Sequence, residues 1–194
     1  GKDEPVTYRG AFYKLANVSV LPALPAELQP LIFVSGLLDT DRSTALELGA
    51  TPIESPIAGG TRGQHNRDGY GVHLGIIADR DEARAWLIAQ RRFPEDDKGP
   101  RQFATQASDS QWLHRLPDLV DNEGRSDSYW LQPLRNGQAT CPYLVGSYDQ
   151  IAAELARYLD DGCTTFILDE PANEEEMQHI GFAFELVTEH YAAA

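Results

Sequence analysis

The sequence is poor in cysteine, with two in 194 residues, and poor in positive charge, with 16 Lys and Arg against 30 Asp and Glu. The first scarcity excludes a disulfide-built scaffold: Cys141 and Cys163 read as two buried free thiols, and the expected compartment is reducing and cytoplasmic. The second leaves a formal net charge of −14. Nucleic acid and anionic membrane surfaces are poor partners for such a chain, because phosphate is held by clustered Lys and Arg. No apolar run approaches the ~18 residues of a membrane span, and no signal peptide is expected. Internal repeats and low-complexity tracts are missing too. So are Gly-x-Gly-x-x-Gly and Gly-x-Ser-x-Gly, which removes the simplest signals for dinucleotide binding and for a hydrolase elbow. His65, His114, His179 and His190 show no metal spacing, and no metal is expected.

What the sequence does have is an alternation of strands and helices. Residues 5–20 read as a hairpin turning at Arg9-Gly10. "LIFVSG" (Leu31 to Gly36) is a continuous apolar strand, of the kind covered on both faces in a parallel sheet. A helix closed by Gly49, a short strand at Thr51–Glu54 and a Gly-rich loop follow. Val72–Ala78 is the next strand, and Asp79 is placed to cap the helix after it. Residues 95–140 are expected to form a helical and irregular excursion over the site, with one helix near Phe103–Leu116. Ser147 and Gln150 match a capping box. Ile151, Ala152, Leu155, Tyr158 and Leu159 make the apolar stripe of the helix it starts. Gly162 ends that helix and Thr164–Leu168 is a strand. Asn173 and Glu176 start a last helix, with Met177, Ile180, Phe184 and Val187 on one face. The class is α/β in a single domain spanning 1–194, with about four parallel strands and helices. A closed (β/α)₈ barrel needs eight strands and about 250 residues, so the chain is either a small open sheet or part of a barrel.

In parallel α/β units ligands bind at the carboxyl ends of the strands, and helix starts there attract phosphate. That singles out Ser35-Gly36 and Gly146-Ser147. A well-capped helix is the plainer reading of the second. Along Val72–Ala78, alternation puts Val72, Leu74 and Ile76 on a face suited to helices. His73, Gly75 and Ile77 fall on a face suited to a ligand; a lone strand histidine is more often simply hydrogen-bonded.

Several stretches together resemble the luciferase-like flavin-dependent monooxygenase superfamily that includes alkanesulfonate monooxygenases. They are "YRGAFYKL", "PLIFVSG" with "ALELGA", "YGVHLGIIADRDEARAW" and, most specifically, "PYLVGSYDQIAAELARYLDDGCTTFILD". "RRFPEDDKG" and "SDSQWLHRL" look like a subgroup associated with natural-product pathways. The similarity covers nearly the whole chain but only the second half of the family's barrel. It implies the second half of a TIM-type (β/α)₈ barrel, incomplete without an N-terminal half or a second copy. It implies a monooxygenase using reduced FMN (or a deazaflavin) and O₂, the flavin supplied by a separate reductase, acting on a small organic substrate.

On that resemblance His73 is the catalytic candidate, and Ser35, Gly36, Gly146 and Ser147 would hold the cofactor. Trp112, Tyr129 and Trp130 would form an apolar lid that keeps a flavin peroxide dry. Leu37 and Leu38 stand where the family often has small or hydroxyl residues at the phosphate. His73 and Gly75 stand where the sulfonate branch has arginine and histidine, which argues against a sulfonate substrate. The alternatives are a non-catalytic, degenerate flavin-binding or scaffold protein, and an α/β binding module unrelated to flavin.

Overall fold

The computed structural model describes residues 5–19, 21–22, 25, 28, 30–35, 39–54, 56, 69–94, 125–126 and 128–192. The Gly-rich loop, Gly36 and most of the 95–140 excursion, including the expected helix at Phe103–Leu116, lie outside them. Contacts group the chain into two compact units, Gly1–Ile32 and Phe33–Ala194.

The first unit holds the expected hairpin. Strands β1 (Val6–Arg9) and β2 (Lys14–Val18) pair antiparallel, with Val6 opposite Val18. The turn closes through the Gly10 N–H, which donates to the Tyr13 carbonyl at 2.8 Å.

The second unit is a mixed sheet flanked by helices. Strands β3 (Phe33–Ser35), β4 (Thr51–Glu54), β5 (Tyr70–Asp79), β8 (Tyr143–Ser147) and β9 (Cys163–Leu168) run parallel. At one edge β6 (Arg125–Ser126) and β7 (Tyr129–Trp130) pair antiparallel with each other, and β7 pairs antiparallel with β8. The helices are α1 (Asp39–Glu47), α2 (Glu82–Arg92), α3 (Gln132–Arg135), α4 (Tyr148–Asp160) and α5 (Glu174–Ala192). The four expected strands are present and parallel. β8 was not counted among them, because its five residues read as the approach to a helix.

β5 is the hub. The C=O and N–H of one trans peptide group point to opposite edges of a strand. The Leu74 carbonyl accepts from the Asp169 N–H at 3.0 Å, on the β9 side, while the Gly75 N–H donates to the Pro142 carbonyl at 2.8 Å, on the β8 side. β9 therefore runs along one edge of β5. β4 and β8 share the other, β4 at Gly71–Val72 and β8 at Gly75–Asp79.

Both faces of β5 are covered. Val72, Leu74, Ile76 and Ala78 pack with Ile151, Leu155 and Tyr158 of α4 and Ile180, Ala183 and Val187 of α5, as the alternation predicted. Met177, expected on that face of α5, is 53% exposed. On the opposite face Ile77 packs with Ala85, Trp86 and Ala89 of α2, and with Phe93, Trp130, Cys141, Tyr143 and Val145. The face expected to open on a ligand is thus packed from Gly75 onward.

The caps follow local chemistry. Ser147 and Gln150 form the complete capping box of α4. α2 is capped by Asp81, whose carboxylate accepts from the Arg84 N–H at 3.1 Å. Asp79, expected in that role, is buried; it accepts from the Asp81 N–H at 3.1 Å and pairs with Arg84 Nε at 3.1 Å. No described helix is long and apolar enough to cross a membrane.

Candidate functional site

The register of three neighbouring strands builds one polar cluster. His73 lies opposite Ile167, so Asp169 follows one same-face step later, just past the end of β9. Gly75 lies opposite Tyr143, so Cys141 comes one same-face step earlier beside β8. Side chains two residues apart on a strand share a face, so His73, Cys141 and Asp169 project together. A ring nitrogen of His73, the Cys141 sulfur and a carboxylate oxygen of Asp169 all lie within 4.8 Å of one another. Cys141 is buried; His73 and Asp169 are half-buried.

Gly75 organises the cluster by lacking a side chain. A Cβ there would sit 2.4–2.6 Å from Tyr143 ring carbons. The Tyr143 ring therefore lies across β5 and its hydroxyl donates to Asp169 Oδ2 at 2.5 Å. Phe93 packs edge-on against that ring at 4.9 Å. The Arg92 guanidinium sits 5.5 Å from the ring centroid and donates from Nη1 to both carboxylate oxygens of the buried Glu176, at 2.7 and 2.9 Å. Nη2 donates to the Glu170 carbonyl at 2.6 Å. The second Asp169 oxygen accepts from the Glu170 N–H at 3.1 Å. Burial first, and then the charge of Asp169, push the Cys141 thiol up to about 12. Burial and the bond to Asp169 also raise the Tyr143 phenol. Both groups hold their protons at neutral pH. The space over Gly75, read from sequence as room for a ligand, is filled by Tyr143.

The expected cofactor residues do not come together. Ser35, exposed at the end of β3, is level with Ile53, which is level with Gly71; Ser147 is level with Asp79. Eight residues of β5 separate those levels, about 26 Å at ~3.3 Å per residue. One phosphate cannot bridge them. At Gly146-Ser147 the capping box also spends local groups on itself. The Ser147 N–H donates to Gln150 Oε1 at 2.8 Å, and the Gln150 N–H donates to Ser147 Oγ at 3.3 Å. A Cβ on Gly146 would meet Gln150 Oε1, the atom that closes the capping box, at 2.8 Å.

The lid residues that are described are core residues. Tyr129 and Trp130 are 6% and 8% exposed. Trp130 packs edge-on against Trp86 at 5.5 Å and Phe93 at 6.0 Å. The Tyr129 hydroxyl donates to the Pro56 carbonyl at 2.9 Å. Trp130 packs α2 onto β7 and β8, while Tyr129 lies in the core on the other face with α4 and α5; both are core residues rather than a lid. Trp112 lies outside the described residues.

Sequence reasoning singled out His73 and missed Cys141, Asp169 and Tyr143 as its neighbours. The ligand-type residues are 28 to 96 positions apart, and only strand register brings them together. A groove of about 400 Å³ lies between α2 and the start of α5, lined by Ile77, Arg84, Leu87, Arg92, Glu175 and His179 among others.

No family model matches the chain. A curated relative, the 4-(gamma-L-glutamylamino)butanoyl-[BtrI acyl-carrier protein] monooxygenase BtrO of Niallia circulans, is 29% identical over 187 residues; these cover 91% of this chain and 55% of that protein. The chain thus spans about half the length of the curated relative it matches. The solved structure of apo-MsnO8 is similar with a TM-score of 0.45 at 13% identity, over 92% of this chain and 55% of that one. The match to BtrO corrects the resemblance to an alkanesulfonate monooxygenase-like half of a luciferase-like enzyme. No family model supports it, and the curated relative acts, by its name, on a carrier-protein-bound acyl group.

Proposed function

We propose that this chain contributes to a monooxygenase of natural-product biosynthesis that oxidises an acyl group held on a carrier protein. The observation that carries this reading is the 29% identity to BtrO along almost the whole of the chain. The structure supports it with a half-buried polar cluster of His73 and Asp169 next to packed aromatics; the groove between α2 and α5 is lined by neither residue. In this reading His73 and Asp169 form the polar end of the substrate site, and Tyr143 fixes the Asp169 carboxylate.

Reduced FMN, delivered by a separate reductase, is the proposed oxygen-activating group. The described residues expected to hold its phosphate do not fit that role jointly, since Ser35 and Ser147 stand far apart along the sheet. Its phosphate therefore falls to one end alone or to other parts of the assembly. The outer edges of β3 and β9 carry no further strand among the described residues. Such edges seek partners, and a longer polypeptide or a second copy would pair there. The second reading, a non-catalytic flavin-binding or scaffold protein, is favoured by the self-satisfied capping box at Ser147.

The test is to supply the chain, with any polypeptide that co-purifies with it, with reduced FMN, a flavin reductase, oxygen and acylated carrier protein. Intact-protein mass spectrometry should show the carrier gaining one oxygen atom, with far less oxidation of the same acyl group offered as a free thioester. Flavin binding with no oxygen transfer to any acylated carrier would favour the non-catalytic reading.

A further inference from the structure

We infer that His73, Cys141 and Asp169 form a binding site for one divalent ion of the zinc class, with three protein ligands and an open fourth position. An imidazole, a thiol and a carboxylate are the donor types that zinc takes, and three of them with one place left over is the arrangement of reactive rather than purely structural zinc sites. The thiol selects against magnesium and calcium, which take oxygen ligands.

The geometry is close to what the ion needs. Ligand bonds of about 2.0–2.3 Å at tetrahedral angles put donor atoms roughly 3.3–3.7 Å apart. The three donors already lie within 4.8 Å of one another. Rotation of the half-buried His73 ring closes the remainder, while the buried Cys141 and the hydrogen-bonded Asp169 stay in place. Each ligand comes from a different, adjacent strand segment, so the backbone hydrogen bonds of β5 to β8 and β9 hold the set in register.

The surroundings match as well. Metal-bound carboxylates are commonly oriented by outer hydrogen bonds. Asp169 has two, from the Tyr143 hydroxyl and the Glu170 N–H. Its oxygens retain lone pairs for an ion beyond those bonds. Binding converts the Cys141 thiol to a thiolate and releases its proton to solvent. The thiolate, the carboxylate and the dication then sum to zero charge, which suits a partly buried site. The neighbouring cation, Arg92, is committed to Glu176. The inference does not depend on the monooxygenase reading, and its test uses no turnover.

The full chain, stripped of metal, is titrated with Co²⁺ and then with Zn²⁺. The expected result is a thiolate-to-cobalt charge-transfer band in the near ultraviolet that saturates at one ion per chain and is bleached by Zn²⁺. Cys141→Ser should abolish the band, while Cys163→Ser, which alters the other buried thiol, should keep it. Tyr143→Phe should weaken cobalt binding by about ten- to a hundredfold, the usual effect of losing an outer hydrogen bond. Should Cys141→Ser fail to fold, the unaltered chain still decides the matter: Zn²⁺ should protect Cys141, and not Cys163, from alkylation read by peptide mass spectrometry. Absence of the band together with unchanged alkylation of Cys141 would overturn the site. So would a band that survives in Cys141→Ser.

Discussion

Gly75→Ala is the smallest perturbation that tests how the cluster is built. In an ordinary strand the change is mildly favourable, since glycine costs roughly 0.5–1 kcal/mol relative to alanine in regular structure. Here the new methyl would lie 2.4–2.6 Å from Tyr143 ring carbons, far inside contact distance. The ring cannot retreat freely, because Phe93 packs on it at 4.9 Å and Arg92 lies over it at 5.5 Å. Overpacking of this kind costs about 1–3 kcal/mol. Moving the ring also breaks the hydrogen bond to Asp169, a bond to a charged group worth about 1.5–3 kcal/mol. With the glycine advantage set against these, the net loss is roughly 2–5 kcal/mol, dominated by the displaced tyrosine.

Urea unfolding of the wild type, Gly75→Ala, Tyr143→Leu and the double variant measures this as a cycle. If the clash is with Tyr143, alanine should cost little or become favourable once the tyrosine is gone, giving a coupling of more than about 1 kcal/mol between the two sites. An equal cost for Gly75→Ala in both backgrounds would refute the account of Gly75 as the space for Tyr143. A stabilised Gly75→Ala would refute the packing itself.

Leu74, fully buried against α4 and α5, should not tolerate Leu74→Asp, because an unpaired buried carboxylate has no partner there; circular dichroism should show loss of folding, while half-buried His73→Ala keeps the fold. Arg92→Ala leaves Glu176, 7% exposed, without its cation and should cost about 3–5 kcal/mol in urea unfolding, with partial recovery in Arg92→Lys. Alkali should destabilise the metal-free chain. The Cys141 thiol rises from 9.0 to about 12 on folding, so the folded chain keeps a proton that the unfolded chain loses. The resulting stabilisation is complete below pH 9 and disappears as the pH climbs toward 12. Unfolding curves across that window should show a smaller fall in Cys141→Ser.

Residues whose placement follows from local chemistry were legible in the sequence. The capping box at Ser147 and Gln150, the apolar stripe of α4, the left-handed Gly49 and Gly162, and the alternation of Val72, Leu74 and Ile76 each depend on neighbours within a few positions. What escaped was set at longer range. Asp79 looked like a helix cap because it follows a strand, but the chain spends two more residues before α2 begins, and Asp81 takes the role. Tyr129 and Trp130 looked like cover for a pocket because nothing local shows that β7 pairs with β8 and carries them into the cores on its two faces.

The misreading of Gly75 has the same origin and explains why the site was only half visible. A strand residue without a side chain signals that something approaches closely, but not what. The sequence reads as offering a ligand, and strand pairing supplies another side chain instead. Once β8 lies beside Gly75–Asp79, Tyr143 is the residue opposite Gly75, and its ring is long enough to cross the hub strand and reach Asp169 on the far edge. The same pairing that fills the expected cavity brings Cys141 beside His73 and so creates the cluster. A one-residue slip of β8 would turn Tyr143 and Cys141 to the other face, because strand side chains alternate. The candidate site is therefore a property of the β5–β8 register. Substitutions that weaken that pairing, even far from His73, should disperse the three donors before they unfold the chain.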